Sequence, residues 1–184
     1  MNLKIISGAQ TGADVAGLWA AKLFGIPTGG YAPNGFLTLD GNHPEMAKTF
    51  GIKEHPKTGY RDRTISNIYA ANLTIILSEK MSPGTKLTIN TCAKTNAEHF
   101  ILTLDSSDMG ASIVNSHVDF VIERVRALHM VLDPMVINIA GNSTKNSPRT
   151  FEFVFKFCFE LFTNLGYVTE AKPEDWKIYQ DKWE

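Results

Sequence analysis

Four times along the chain an apolar run about five residues long stops at a turn of glycine or small polar residues, and a helix-spaced stretch follows. The runs are Leu3–Ser7, Leu73–Leu77, His99–Thr103 and Met135–Ile139. Their apolar residues are continuous rather than alternating, so each strand must be covered on both faces. Strands that alternate with helices and are covered on both faces pair in parallel, through helical crossovers. The expected fold class is therefore α/β: a Rossmann-like, doubly wound, mostly parallel sheet of about five strands flanked by helices. A chain of 184 residues builds one sizeable core rather than two. One ligand-binding domain over residues 1–165 and a C-terminal tail over 166–184 are expected.

The elements between the runs follow from spacing. Val15, Leu18, Trp19, Lys22 and Leu23 recur at helical intervals, and Gly25 is placed to end that helix. A weaker extended segment near Ile26 leads to Gly29-Gly30. Five prolines and glycines from Pro33 to Gly51 predict an ordered loop over Tyr31 to Thr58. Further helices are expected over Tyr60–Ala71, from about Lys86 to Thr95 behind Ser82-Pro83-Gly84-Thr85, and over Ile113–Leu132. Phe151, Phe153, Phe155, Phe157 and Phe159 alternate as a strand would, but Glu152, Lys156 and Glu160 form one narrow helical stripe. With Ser147-Pro148 as cap and first-turn proline, this reads as a helix buried in the core or at a subunit interface. The tail from Ala171 is charged, yet holds Trp176, Tyr179 and Trp183, and a loosely ordered end is expected.

Composition closes off several function classes. A formal charge of -1 supplies no general field for nucleic acid or an anionic membrane, so an anionic ligand must be held locally. No apolar run approaches the ~18 residues that a membrane helix needs. Cys92 and Cys158 lie far apart and lack metal-ligand spacing, and they read as two reduced thiols. The first residues read as a strand rather than a signal peptide, so a cytoplasmic protein is expected. His43, His55, His99, His117 and His129 show neither H-x-x-x-H nor H-E-x-x-H spacing, and no metal site is expected. The absence of G-x-S-x-G argues against a hydrolase nucleophile elbow.

In an open parallel sheet, ligands bind beyond the carboxyl ends of the strands. Four loops gather there: Ser7 to Asp14, Ser78 to Thr85, Asp105 to Ser112, and Gly141 to Ser147. The helices that start after Ser7 and after Leu77 are expected to turn free N–H groups and a positive dipole end toward an anion. Gly8 to Gly12 is neither G-x-G-x-x-G nor a P-loop, so it is the convergence of several loops that points to a ligand. Arg61 and Arg63, two residues apart, face different sides of a helix. Either one clamps an anion while the other pairs with Asp62 or Glu54, or both are solvated. Asp14 either works at the ligand or stabilises the helix start by its charge. A catalytic carboxylate, in an enzyme, would come from Asp14, Asp40, Asp105 or Asp108.

The same segments carry a resemblance. Ile5 to Asp14, Thr28-Gly29-Gly30-Tyr31-Ala32-Pro33, Gly59-Tyr60-Arg61-Asp62-Arg63-Thr64 with Asn67, Gly84-Thr85 with Thr88, and Asn138-Ile139-Ala140-Gly141 occur in this order. Over roughly Met1 to Leu165 the chain resembles the family named for putative molybdenum carriers. That family is a circularly permuted branch of the SLOG superfamily, which includes Lonely-guy-type nucleotide phosphoribohydrolases and DprA-like Rossmann domains. The resemblance implies a glycine-rich phosphate pocket for a nucleotide, an NAD- or ADP-ribose-derived molecule, or molybdopterin. Its implied ligand contacts are Ser7, Gly8, Gln10, Thr11, Gly12, Asp14, Gly30, Arg61, Arg63, Gly84, Thr85, Thr88, Asn90 and Gly141. Relatives often carry arginine at the position of Val15, basic residues at those of Asn34 and Phe36, and an acid at that of Asn90. Asparagine cannot take up a proton at neutral pH, which argues against the hydrolase chemistry of some relatives.

The expected function is thus non-catalytic binding, carrying or sequestration of a phosphorylated nucleotide-like ligand. A nucleotide N-glycoside hydrolase with Asp14 as its acid, and a module capturing an ADP-ribose-type immune signal, are the alternatives. The expected partner is a phosphorylated small molecule, with no nucleic acid and no membrane, in a homodimer or higher homo-oligomer.

Overall fold

The computed structural model describes residues 1–103 and 111–182. Residues 105–110 of the expected third loop, with Asp105 and Asp108, lie outside the described residues, as does Trp183. In chain order the elements are β1 (Leu3–Ile6), α1 (Ala13–Leu23), β2 (Thr28–Ala32), the short β3 (Leu37–Thr38) and β4 (Gly41–Asn42), and α2 (Glu45–Phe50). They continue with β5 (Ile52–Glu54), α3 (Tyr60–Ala70), β6 (Leu73–Ser78), α4 (Pro83–Thr95), β7 (His99–Thr103) and α5 (Ala111–His129). Last come β8 (Met135–Gly141), α6 (Thr150–Asn164) and α7 (Trp176–Gln180).

Six strands form one sheet in the order β5-β2-β1-β8-β6-β7. Every pairing in it is parallel. The fold is the expected α/β, Rossmann-like, doubly wound arrangement. The sixth strand is β5, which pairs its Ile52 with Gly30 and comes, like α2, from the stretch read as loop. At three and six residues these elements are too short to carry a period, and burial of Met46, Phe50 and Ile52 sets them instead. Every residue of β6 is buried, as its continuous apolar run requires.

Crossover handedness decides where the helices go. The steps from β1 to β2 and from β2 to β5 run toward one edge of the sheet, and those from β5 to β6 and from β6 to β7 run toward the other. Right-handed crossovers then put α1 and α2 on one face and α3 and α4 on the opposite face. The packing agrees: α1 and α5 each pack on α6, whereas α3 packs on α4. Because β8 returns between β1 and β6, the winding direction changes there, and a crevice opens beyond those strands' carboxyl ends.

The phenylalanine-rich segment is helical, and its rings are spent in the core: Phe151, Phe155, Phe157 and Phe162 are all 0% exposed. Its polar stripe carries a Lys156–Glu152 ion pair at 2.7 Å. The expected cap differs. Arg149 is the residue before the helix, and Ser147 instead donates its hydroxyl to Glu79 of the β6–α4 loop. The tail also departs from expectation. Tyr179 lies tilted against Trp19 at 4.9 Å and stacks on Phe155 at 6.0 Å, so α7 is packed down by apolar contact. Among the described residues no helix is long and apolar enough to cross a membrane.

Candidate functional site

The chain after β1 turns back on itself through its own side chains. Ser7, fully buried, donates its hydroxyl to the main-chain carbonyl of Asp14 (3.2 Å) and accepts from the Ala9 N–H (3.0 Å). Gln10 Oε1 accepts from the N–H groups of Thr11 and Leu39, both at 3.0 Å, tying the β3–β4 hairpin to the loop floor. Gly12 adopts φ 86°, and a Cβ there would stand 2.5 Å from the Asn142 carbonyl oxygen. That glycine is required by two backbones crossing, not by room for a ligand.

Opposite this loop, α3 supplies the one guanidinium of the crevice among the described residues. Arg63 Nη1 donates to Asp14 Oδ2 at 3.2 Å, with side-chain exposures of 12% and 7%. Gly8 makes the approach possible, since a Cβ on it would fall 1.4 Å from Arg63 Nη1. The Gln10 N–H also reaches Asp14 Oδ2, at 3.2 Å. Burial is the largest influence on Asp14 and pushes its carboxyl above the ordinary value of 3.8, while Arg63 and the amides of Gln10 and Gly8 pull the other way. The helix bearing Arg63 is fixed by Asn67, whose side-chain amide accepts from Tyr31 N–H (2.9 Å) and donates to Tyr31 O (3.0 Å).

Asn142, one residue past β8, holds three loops together. Its Oδ1 accepts from the Glu79 and Lys80 N–H groups at 2.8 and 3.0 Å, and its Nδ2 donates to Lys80 O and Thr85 Oγ1 at 2.8 and 3.2 Å. Its own carbonyl accepts from the Ala13 N–H at 3.0 Å. Sequence reasoning missed it, because its side-chain partners lie 57 to 63 residues away in the chain. The two helix starts expected to offer free amides are therefore partly satisfied from within. Ala13 N–H goes to Asn142, Val15 N–H to the Gln10 carbonyl, and Thr85 N–H to the capping hydroxyl of Ser82.

The loops enclose a pocket of about 530 Å³. That lies within the roughly 300–1,000 Å³ range of small-molecule sites. Its wall includes Gly8, Gln10, Asp14, Arg63, Gly84, Thr88, Gly141 and Ser143. Leu39 and Tyr60, 43% and 37% exposed, stand at its solvent side. Two polar atoms on this wall are buried without a hydrogen-bond partner: Ser143 Oγ, on a residue 6% exposed, and Arg63 Nε. Among the described residues Asp14 is the only carboxylate on the wall and Arg63 the only cation, so this lining has no net charge.

Of the residues singled out from the sequence, Gly8, Gln10, Asp14, Arg63, Gly84, Thr88 and Gly141 line this pocket. Ser7, Thr11, Gly12, Gly30 and Thr85 stand behind it and shape the loops. A Cβ on Gly30, for instance, would meet the Ser7 carbonyl oxygen at 2.1 Å. Arg61 and Asn90 are exposed and outside the wall, so they do not occupy the places expected of them. The pocket face of α4 runs through Gly84, Leu87 and Thr88, and an acid on that face would replace one of these rather than Asn90. Ser143, Asn146 and Leu39 were not singled out, and only their place in loops flanking the strands signalled them.

Comparison with known proteins agrees with this architecture. The model of the Circularly permutated YpsA SLOG family matches residues 5–161. The crystal structure of a protein named Putative molybdenum carrier protein, from Syntrophus aciditrophicus SB, is 29% identical with a TM-score of 0.74, covering 86% of this chain and 93% of that one. No curated protein matches the chain. With glycine loops converging on a crevice where the last sheet strand lies beside the first, the chain belongs to the circularly permutated YpsA SLOG family.

Proposed function

We propose that the pocket binds a phosphorylated, nucleotide-like molecule without turning it over, and that the chain stores, carries or sequesters it. The observation carrying this reading is the pair of buried, unpartnered groups on one wall, Ser143 Oγ and Arg63 Nε. A buried polar atom without a partner costs about 1–3 kcal/mol, a cost that a ligand acceptor would remove once the side chain turns toward it. The remaining wall suits a nucleoside: neutral hydrogen-bonding groups at Asn138 and Asn146, and Leu39, Tyr60 and Leu87 for a flat apolar ring. The name of the Syntrophus protein is consistent with carriage of a small ligand. A volume of about 530 Å³ favours an organic molecule over a bare oxyanion. A metal-containing ligand would bring its own donors, since the described wall has one carboxylate and neither thiol nor imidazole. Native mass spectrometry of the protein from its host tests this: a retained nucleotide-sized adduct is expected, and a bare chain under gentle transfer would count against it.

Asp14 favours one second reading. A buried carboxyl held above its ordinary range is suited to proton transfer, so N-glycoside hydrolysis is the alternative activity. Incubation with nucleoside monophosphates separates the two. No free base is expected from a carrier, and steady multiple turnover would establish the hydrolase.

A further inference from the structure

Asp14 and Arg63 set a condition on what this pocket can hold, and the inference drawn from it rests on the nucleotide-binding reading above. Asp14 Oδ2 takes hydrogen bonds from both Arg63 Nη1 and the Gln10 N–H, each at 3.2 Å. The carboxylate thus already occupies the position on Arg63 that a ligand anion would take. Arg63 Nε remains unpartnered on the same wall, and so does Ser143 Oγ. An anion accepting from the Arg63 guanidinium is drawn close to the Asp14 carboxylate, whose side chain is only 7% exposed, and there repulsion between like charges is strong. No other charged group of the described lining relieves it. Lysine, histidine and a second arginine are absent from the described lining, and Tyr60 is the one further titratable group there.

We propose that this pocket takes up a proton together with its anionic ligand, the proton coming from solvent and residing on the Asp14 carboxyl. Protonation removes the repulsion, leaves the Asp14 carboxyl able to donate to a ligand oxygen, and frees Arg63 to serve the anion alone. Burial of Asp14, which already favours its neutral form, makes that uptake easier. The sign follows. Before binding, the Asp14 carboxyl ionises at a raised value, and the anion raises it again. Between those two values, affinity tightens as pH falls, by up to about tenfold per pH unit for one proton. Below the first value, further acidification adds nothing through this group.

Isothermal titration with adenosine monophosphate in two buffers of different ionisation heat reads the protons taken up. The phosphate's own titration is common to all proteins tested, so the comparison is wild type against Asp14→Asn. Wild type is expected to take up more protons than D14N, and its affinity to fall more steeply with rising pH. Equal uptake and parallel pH profiles would overturn the proposal while leaving nucleotide binding intact. Failure of the wild type to bind at all would overturn the binding reading, and this one with it. Should D14N not fold, the carboxyl-carbon NMR signal of Asp14 in the wild type decides. An upward shift of its midpoint on adding the nucleotide is expected, and an unmoved midpoint contradicts the proposal.

Discussion

Asn142 shows how much of the site depends on one side chain that touches no proposed ligand position. Its amide is fully committed to Glu79, Lys80 and Thr85, and its carbonyl takes the first amide of α1. Asn142→Ala leaves the amides of Glu79 and Lys80 without their acceptor. A loss of about 1–3 kcal/mol or more is expected in urea denaturation, since buried unsatisfied donors carry that cost. Asp14 makes a second prediction at this scale. Its folded-state ionisation is raised above the ordinary 3.8, so its stabilising contribution is present below that value and is lost as pH rises through the raised one. The stability of wild type relative to D14N should therefore decline over that window and then level off. A difference that grows with pH would mean that the Arg63 pairing dominates burial. Residues of this kind were only half legible. Gly8, Arg63 and Asp14 could be named from the turn and the resemblance, whereas Arg61 and Arg63 could not be told apart before α3 was seen lying along the pocket.

At the scale of elements, legibility followed length and pattern. The strands β1, β6, β7 and β8 announced themselves as apolar runs, and α6 as a polar stripe on an otherwise apolar helix. α2 and β5 did not, because in a stretch punctuated by proline and glycine their few residues are ordered by packing of Phe50 and Ile52 rather than by propensity. The same logic explains α7: its helix is short, and Tyr179 is held by Trp19 and Phe155. Phe155 is fully buried and joins α6 to α7, so Phe155→Ala should cost about 3–5 kcal/mol and loosen the tail. Denaturant unfolding together with proteolysis after residue 165 measures both effects. A cost below about 1 kcal/mol would mean that the core closes over the gap.

For the whole molecule, the decisive feature is the reversal of winding between β1 and β6 with β8 seated in the gap. It brings segments distant in the chain to one sheet edge: Gly8 to Asp14, Arg63, Gly84 to Thr88, and Gly141 to Asn146. The convergence of the loops after β1, β6 and β8 was readable from the strand-turn-helix repeat, and the loop expected after β7 lies outside the described residues. The charge balance of the pocket was not, because it depends on which of several acids and bases point inward. That balance bears on the central claim, that Arg63, paired with Asp14 on a described wall without other charges, recognises the phosphate of a nucleotide-like ligand. The direct measurement is calorimetric titration of adenosine monophosphate and adenosine into wild type and Arg63→Ala. The phosphate is expected to improve wild-type affinity, and R63A to lose about 1.5–3 kcal/mol for the monophosphate but little for adenosine. Equal affinity of wild type for the two ligands, or R63A binding the monophosphate as tightly as wild type, would contradict it.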